Sequence, residues 1–180
     1  MTYRAFLFDF DGTLLDTNQL ILDSFMHTLH KHCPEKMIMF EEIQAMLGLP
    51  LRKQLAHFCP DRVEEMVNTY HKFNVSHHNH YVKLFPYVRE TLQSLKKRGR
   101  FTAVITNKRR EVVNMGISLF QLEPLLDEVI CVDDGYPHKP HPEMILRAQK
   151  RFKVTAEETV MIGDSVSDVL AAKRANVDQV

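Results

Sequence analysis

Four short apolar runs, separated by longer stretches of helical pattern, constrain this chain more than anything else in it. They are Ala5–Phe8, Phe101–Ile105, Glu128–Val132 and Thr159–Ile162. Runs this short and this continuously apolar read as strands buried on both faces, not as half-exposed strands with alternating polarity. Helical patterns follow at Val88–Lys97, Arg110–Leu119, Pro142–Phe152 and Ser165–Ala175. Strands alternating with helices predict an α/β fold, a parallel sheet covered on both sides.

One stretch departs from the alternation. Between Asp16 and Leu84 no strand pattern stands out. Leu20, Leu22, Phe25, Met26 and Leu29 recur at helical spacing, as do Ile43, Met46 and Leu47, then Val63, Met66, Val67 and Tyr70. Pro34, Gly48-Leu49-Pro50 and Cys59-Pro60-Asp61 punctuate them. The expected organisation is a core made of residues 1–15 and 85–180, with residues 16–84 inserted as a bundle of about four helices. The run from His71 to His80 holds His71, His77, His78 and His80. Histidines at helical spacing can bind metal, but with no cysteine or carboxylate cluster beside them the run reads as a solvated helix face.

Lys plus Arg number 23 and Asp plus Glu number 23. A balanced charge argues against nucleic acid or an anionic membrane as the main partner, since phosphate-backbone binding draws on excess basic charge. No apolar run approaches the ~20 residues that span a bilayer, and the N-terminus lacks the pattern of a signal peptide. Cys33, Cys59 and Cys131 are widely spaced and form no CxxC pair. They read as buried filler in a protein of the reducing cytoplasm.

In a parallel sheet, ligands collect at the carboxyl ends of the strands. The residues there are Asp9-Phe10-Asp11-Gly12-Thr13 after the first strand and Thr106-Asn107-Lys108 after the second. Lys139 lies beyond the third, and Gly163-Asp164-Ser165 follows the fourth, with Asp168 one turn later. Singly, each has an ordinary explanation: a turn, a structural threonine, a solvated lysine, a helix cap. Together they bring carboxylates, a hydroxyl and an ammonium to one edge from four places. Clustered carboxylates repel unless a cation sits among them, and an oxygen-only set with open positions suits Mg²⁺. An ionised Asp9 can then attack phosphorus. Asp11, two residues on in extended chain, shares its face and can serve as acid and then base. Gly12 allows a sharp turn. Thr106 and the Asn107 amide can donate to phosphoryl oxygens, and Lys139 supplies a point charge.

These motifs resemble those of the haloacid dehalogenase-like superfamily. The matching segments are Asp9-Phe10-Asp11-Gly12-Thr13-Leu14-Leu15-Asp16-Thr17, Val104-Ile105-Thr106-Asn107-Lys108, Lys139-Pro140-His141-Pro142-Glu143 and Gly163-Asp164-Ser165-Val166-Ser167-Asp168. The resemblance implies a Rossmann-like core, an inserted helical cap of the C1 type, and Mg²⁺ held by Asp9, the Asp11 main-chain oxygen and Asp164. Asp168 would be a further or indirect ligand. It implies Asp9 as nucleophile, Asp11 as acid/base, and Thr106 and Lys139 as phosphate binders. Asp11 favours phosphatase over dehalogenase, because dehalogenases of the superfamily lack that second acid. The insert looks like the cap of the phosphoglycolate phosphatase branch. Asp16–Ile21 with Ser24–Leu29 looks like the pyrophosphatases linked to HPr-kinase chemistry. In Gly48-Leu49-Pro50-Leu51-Arg52-Lys53, Arg52 (or Lys53) is the candidate contact for the leaving group, beside the plainer reading of a solvated residue at a helix N-terminus.

The expected function is Mg²⁺-dependent hydrolysis of pyrophosphate or a small phosphorylated metabolite by a monomer or weak dimer. A phosphomutase of the same fold and a receiver-like signalling domain are the alternatives, with a degenerate binding protein behind them. Val177 and Val180 look like the start of a further edge strand cut short, which would leave backbone groups unpaired while sparing every motif.

Overall fold

The computed structural model describes residues 3–36, 38–46 and 49–180. Leu47 and Gly48, read above as helix and punctuation, lie outside them. Strands are β1 (Ala5–Phe8), β2 (Leu15–Asp16), β3 (Lys83–Leu84), β4 (Phe101–Ile105), β5 (Glu128–Ile130), β6 (Thr159–Ile162) and β7 (Asp178–Gln179). Helices are α1 (Asn18–His32), α2 (Phe40–Met46), α3 (Leu51–Phe58), α4 (Val63–Tyr81), α5 (Val88–Lys97), α6 (Arg110–Leu119), α7 (Glu143–Phe152) and α8 (Val166–Arg174). Two compact units result: Met1–Asp16 with Lys83–Val180, and Thr17–Val82.

The first unit carries a five-stranded sheet in the order β5-β4-β1-β6-β7. Every pairing in it is parallel. The chain steps outward from β1 through β4 to β5, then returns to the other side of β1 with β6 and β7. That reversal is the Rossmann-type switch point, and it lies between β1 and β6. Phe8 sits opposite Val104 on one side and Ile162 on the other. This register brings Asp9, Thr106 and Gly163 out at one edge.

Side-chain alternation explains why both faces are apolar. Ala5 and Leu7 join Ala103, Ile105 and Met161 in one buried cluster. Phe8 and Val104, also buried, point the opposite way. On the first face α7 lays down Met144, Ile145, Ala148 and Phe152 as a single stripe. Phe152 stacks on Phe101 with ring centroids 4.7 Å apart. Each large side chain so buried contributes roughly 1.5–3 kcal/mol. Helix α6 buries Val112, Val113, Gly116 and Ile117. A Cβ on Gly116 would lie 2.6 Å from Leu15 Cδ1 and 2.9 Å from Phe10 Cζ, so the missing side chain permits this approach.

Three local differences from the sequence reading have clear causes. The third strand ends at Ile130, two residues early, because the Asp134 carboxylate accepts the Cys131 N–H at 2.8 Å and draws the chain into a 3₁₀ turn over Val132–Asp134. Leu15–Asp16 and Lys83–Leu84 form a two-residue antiparallel ribbon, too short to leave a periodic trace. The edge strand anticipated near Val177–Val180 is present as Asp178–Gln179, paired with β6, and Val180 N–H donates to Met161 O at 3.0 Å.

The second unit is helical. Phe25, Leu29, Cys33, Ile43, Leu55, Phe58, Met66, Val67 and Tyr70 form its core. A polar seam runs beside it, in which Asn74 Nδ2 donates to Ser24 Oγ and His32 Nε2 lies 2.8 Å from Thr69 Oγ1. The histidine run lies on α4, but His78 is buried, so that face is only partly solvated. Cys33 and Cys131 are buried as well, and burial pushes their thiols up to about 11 and about 12. No helix among the described residues is long and apolar enough to cross a membrane.

Candidate active site

The site is assembled from loops at the carboxyl ends of β1, β4 and β6, with one lysine from the segment before α7. Asp9 leaves β1 with its N–H bonded to Ile162 O at 2.8 Å, which fixes it beside β6. Its side chain is almost completely buried.

Lys139 is equally buried, and its ammonium meets three oxygens. It donates to Ile105 O at 2.8 Å and Asp168 Oδ1 at 2.6 Å, and it lies 2.8 Å from Asp9 Oδ1. Burial opposes its charge, yet Asp9 and Asp168 more than reverse that and raise its pKa. Burial also pushes the Asp9 carboxyl up to about 6, with Asp168 adding to the rise and Lys139 pulling against it. One ammonium shared between two carboxylates does not fully compensate either. The Lys139–Asp9 contact is an ion pair without hydrogen-bond alignment, so Asp9 Oδ1 remains a buried oxygen lacking a hydrogen bond among the described residues.

Asp11 carries a partner of its own. Lys108, from the loop after β4, donates from Nζ to Asp11 Oδ1 at 2.6 Å. Thr106 is buried, and its Oγ1 accepts the Lys108 N–H at 3.1 Å, tightening that loop. Asn107 is turned toward Lys139: its Nδ2 donates to Lys139 O at 3.0 Å and its Oδ1 accepts the Lys139 N–H at 2.8 Å. The amide expected to face a phosphoryl group thus clamps the main chain of the buried lysine, leaving one N–H of the amide beyond that clamp.

Asp168 is fully buried, and both its oxygens are engaged. Oδ1 accepts from Lys139; Oδ2 accepts from Ser165 N–H at 3.0 Å and Ser165 Oγ at 2.6 Å. It closes a capping box on α8, with Ser165 Oγ accepting the Asp168 N–H in return. Arg52, expected near a leaving group, forms an ion pair with Glu64 in the helical unit.

Asp9, Asp164 and Asp168 each offer an oxygen within 4.8 Å of the others. Among the described residues no other set of three His, Cys, Asp or Glu side chains converges this way, and the histidines of α4 do not. The donor set fits a hard divalent cation. It is oxygen only, it holds three carboxylates against one ammonium, and Asp9 Oδ1 lacks a hydrogen bond. Gly12 adds a steric reason. It has φ +75°, a conformation that favours glycine, and a Cβ there would lie 2.1 Å from Asp164 Oδ2, so a larger residue would have to displace that carboxylate.

The sequence profile of the haloacid dehalogenase-like hydrolases matches residues 6–180. This chain belongs to that family. It is 42% identical over 175 residues to pyrophosphatase PpaX of Anoxybacillus flavithermus, covering 97% of this chain and 81% of that one. Against pyrophosphatase PpaX of Halalkalibacterium halodurans it is 39% identical over 177 residues, covering 98% and 82%. A solved haloacid dehalogenase-like hydrolase from Bacteroides fragilis superposes with a TM-score of 0.90 at 31% identity, covering 99% of this chain and 86% of that one. The four-motif resemblance and the α/β fold class expected from sequence therefore hold for this family member.

Proposed function

We propose that this hydrolase is a Mg²⁺-dependent phosphohydrolase that forms an aspartyl-phosphate on Asp9 and cleaves pyrophosphate or a small phosphate monoester. The observation that carries the reading is Asp9 itself, a buried carboxylate held between strands, ion-paired to a buried lysine, with a second acid two residues on. Relatives named pyrophosphatase support the phosphoanhydride as substrate.

Asp9 attacks phosphorus while Lys139 offsets charge on the carboxylate and the transferring group. The buried Thr106 hydroxyl is the candidate donor to a phosphoryl oxygen. Asp11 gives its proton to the departing oxygen, then takes one from the water that cleaves the acyl phosphate and frees Asp9. Mg²⁺, held by Asp9, Asp164 and the Asp11 main-chain oxygen, would neutralise phosphate charge. Asp168 orients Lys139 and the start of α8 in this scheme.

The test is phosphate release with Mg²⁺ from pyrophosphate, phosphoglycolate, sugar phosphates and nucleotides. Asp9→Asn should abolish turnover on every substrate. Full activity in that variant would remove Asp9 as the nucleophile, and phosphoryl return to a sugar without free phosphate would point to a mutase.

A further inference from the structure

Lys108 is a second cation in the site, and its surroundings differ from those of Lys139. Lys139 Nζ donates to two protein oxygens and lies against a third, Asp9 Oδ1, at 2.8 Å. Among the described residues Lys108 Nζ makes one hydrogen bond, to Asp11 Oδ1, with its side chain about 10% exposed. Two N–H directions are therefore left for other acceptors on the same ammonium. The lysine is anchored through its main chain as well: its N–H donates to Thr106 Oγ1, and its carbonyl accepts Val132 N–H at 3.4 Å.

Asp11 is the group that protonates the departing oxygen under the reading above, on which this inference rests. A cation hydrogen-bonded to that carboxylate sits where the leaving group develops. An alcohol leaving group is neutral once protonated and has little use for it. A departing phosphate stays anionic and gains a charge-assisted hydrogen bond.

We propose that Lys108 binds the leaving phosphoryl group and makes the site selective for phosphoanhydrides, that is, for substrates whose leaving group is itself an anion. In the step, an Asp9 oxygen bonds to phosphorus as the bridging P–O bond breaks. The electron pair of that bond goes to the bridging oxygen, which takes the Asp11 proton, and hydrogen phosphate departs against Lys108. Water then gives a proton to Asp11 and its oxygen to phosphorus, and the Asp9–phosphorus bond breaks with its electrons returning to Asp9.

The experiment compares Lys108→Met with the unaltered protein on pyrophosphate and on β-glycerol phosphate, whose alcohol also needs protonation. Pyrophosphate kcat/KM should fall about 10–100-fold, the worth of a hydrogen bond to a charged group, and the ratio between the two substrates should shift by at least tenfold. Equal losses on both substrates would overturn the proposal, since they would mean that Lys108 acts only through Asp11. So would an unchanged ratio, or an unaltered protein that hydrolyses monoesters but not pyrophosphate. Binding supplies a second readout: in Asp9→Asn with Mg²⁺, Lys108→Met should weaken methylenediphosphonate at least tenfold more than inorganic phosphate, and equal weakening would refute it. If no substrate is turned over, the phosphohydrolase reading fails while the binding comparison still decides the role of Lys108. Should Lys108→Met fail to fold, Lys108→Gln keeps a donor for Asp11, removes the charge and carries the same expectations.

Discussion

Burying an ammonium costs several kcal/mol unless its partners are in place, and at Lys139 those partners come from three parts of the chain. Ile105 ends a strand, Asp168 starts a helix and Asp9 follows the central strand. Asn107 completes the arrangement by bonding both main-chain groups of the lysine. Asn107→Ala should leave those groups without partners, lowering stability by about 1–3 kcal/mol. Misplacement of the ammonium should lower kcat at least tenfold. Thermal melts and steady-state kinetics on one preparation would check both. Unchanged kcat would mean that the clamp is only structural. None of this was legible in the motif: Asn107 reads as a phosphate donor because it follows a strand-end threonine, and only the folded loop aims it at residue 139. Lys108 was equally hard to assign, since its partner Asp11 lies 97 residues away in sequence.

At the level of elements, legibility followed length and pattern. β1, β4, β6, α5 and α6 begin and end where their apolar runs do, because propensity, burial and flanking turns agree there. β5 stops early because a side-chain carboxylate competes for its next N–H. β2 and β3 were invisible because two residues carry no period. Gly116 also escaped notice, yet it sets the distance between α6 and the loop that carries Asp9 and Asp11. Gly116→Ala should force Phe10 and Leu15 apart, against only a small gain in helix propensity. A net loss of about 1–3 kcal/mol is expected, as for other overpacked sites, with reduced turnover because Phe10 lies between the two acids. A melting temperature equal to or above that of the unaltered protein would contradict this.

Across the whole molecule, folding and cation binding should be linked through Asp9. Its carboxyl is raised from an ordinary 3.8 to about 6 in the folded chain. Between those values the folded state holds a proton that the unfolded state has lost. The contribution of Asp9 to stability is therefore fully present below about 3.8 and lost as pH rises through about 6. Mg²⁺ requires the ionised carboxylate and binds the folded state, so it should restore stability where burial removes it. Melting temperature with and without Mg²⁺ should differ more at pH 7.5 than at pH 5, and Asp9→Asn should shrink the difference at pH 7.5. Equal shifts at both pH values would place the cation elsewhere.

The ribbon of β2 and β3 has one more consequence. Asp16 and Lys83 face each other as an antiparallel pair, so the chain leaves the sheet unit and re-enters it at neighbouring positions. A two-residue turn could bridge such a pair, and a flexible insert costs only about 0.6 kcal/mol more for each doubling of its length. The ribbon is in effect a socket. Whatever is plugged in between residues 16 and 83 enters and leaves the sheet unit at one place, so a lineage could lengthen, shorten or exchange it while the sheet keeps its own register.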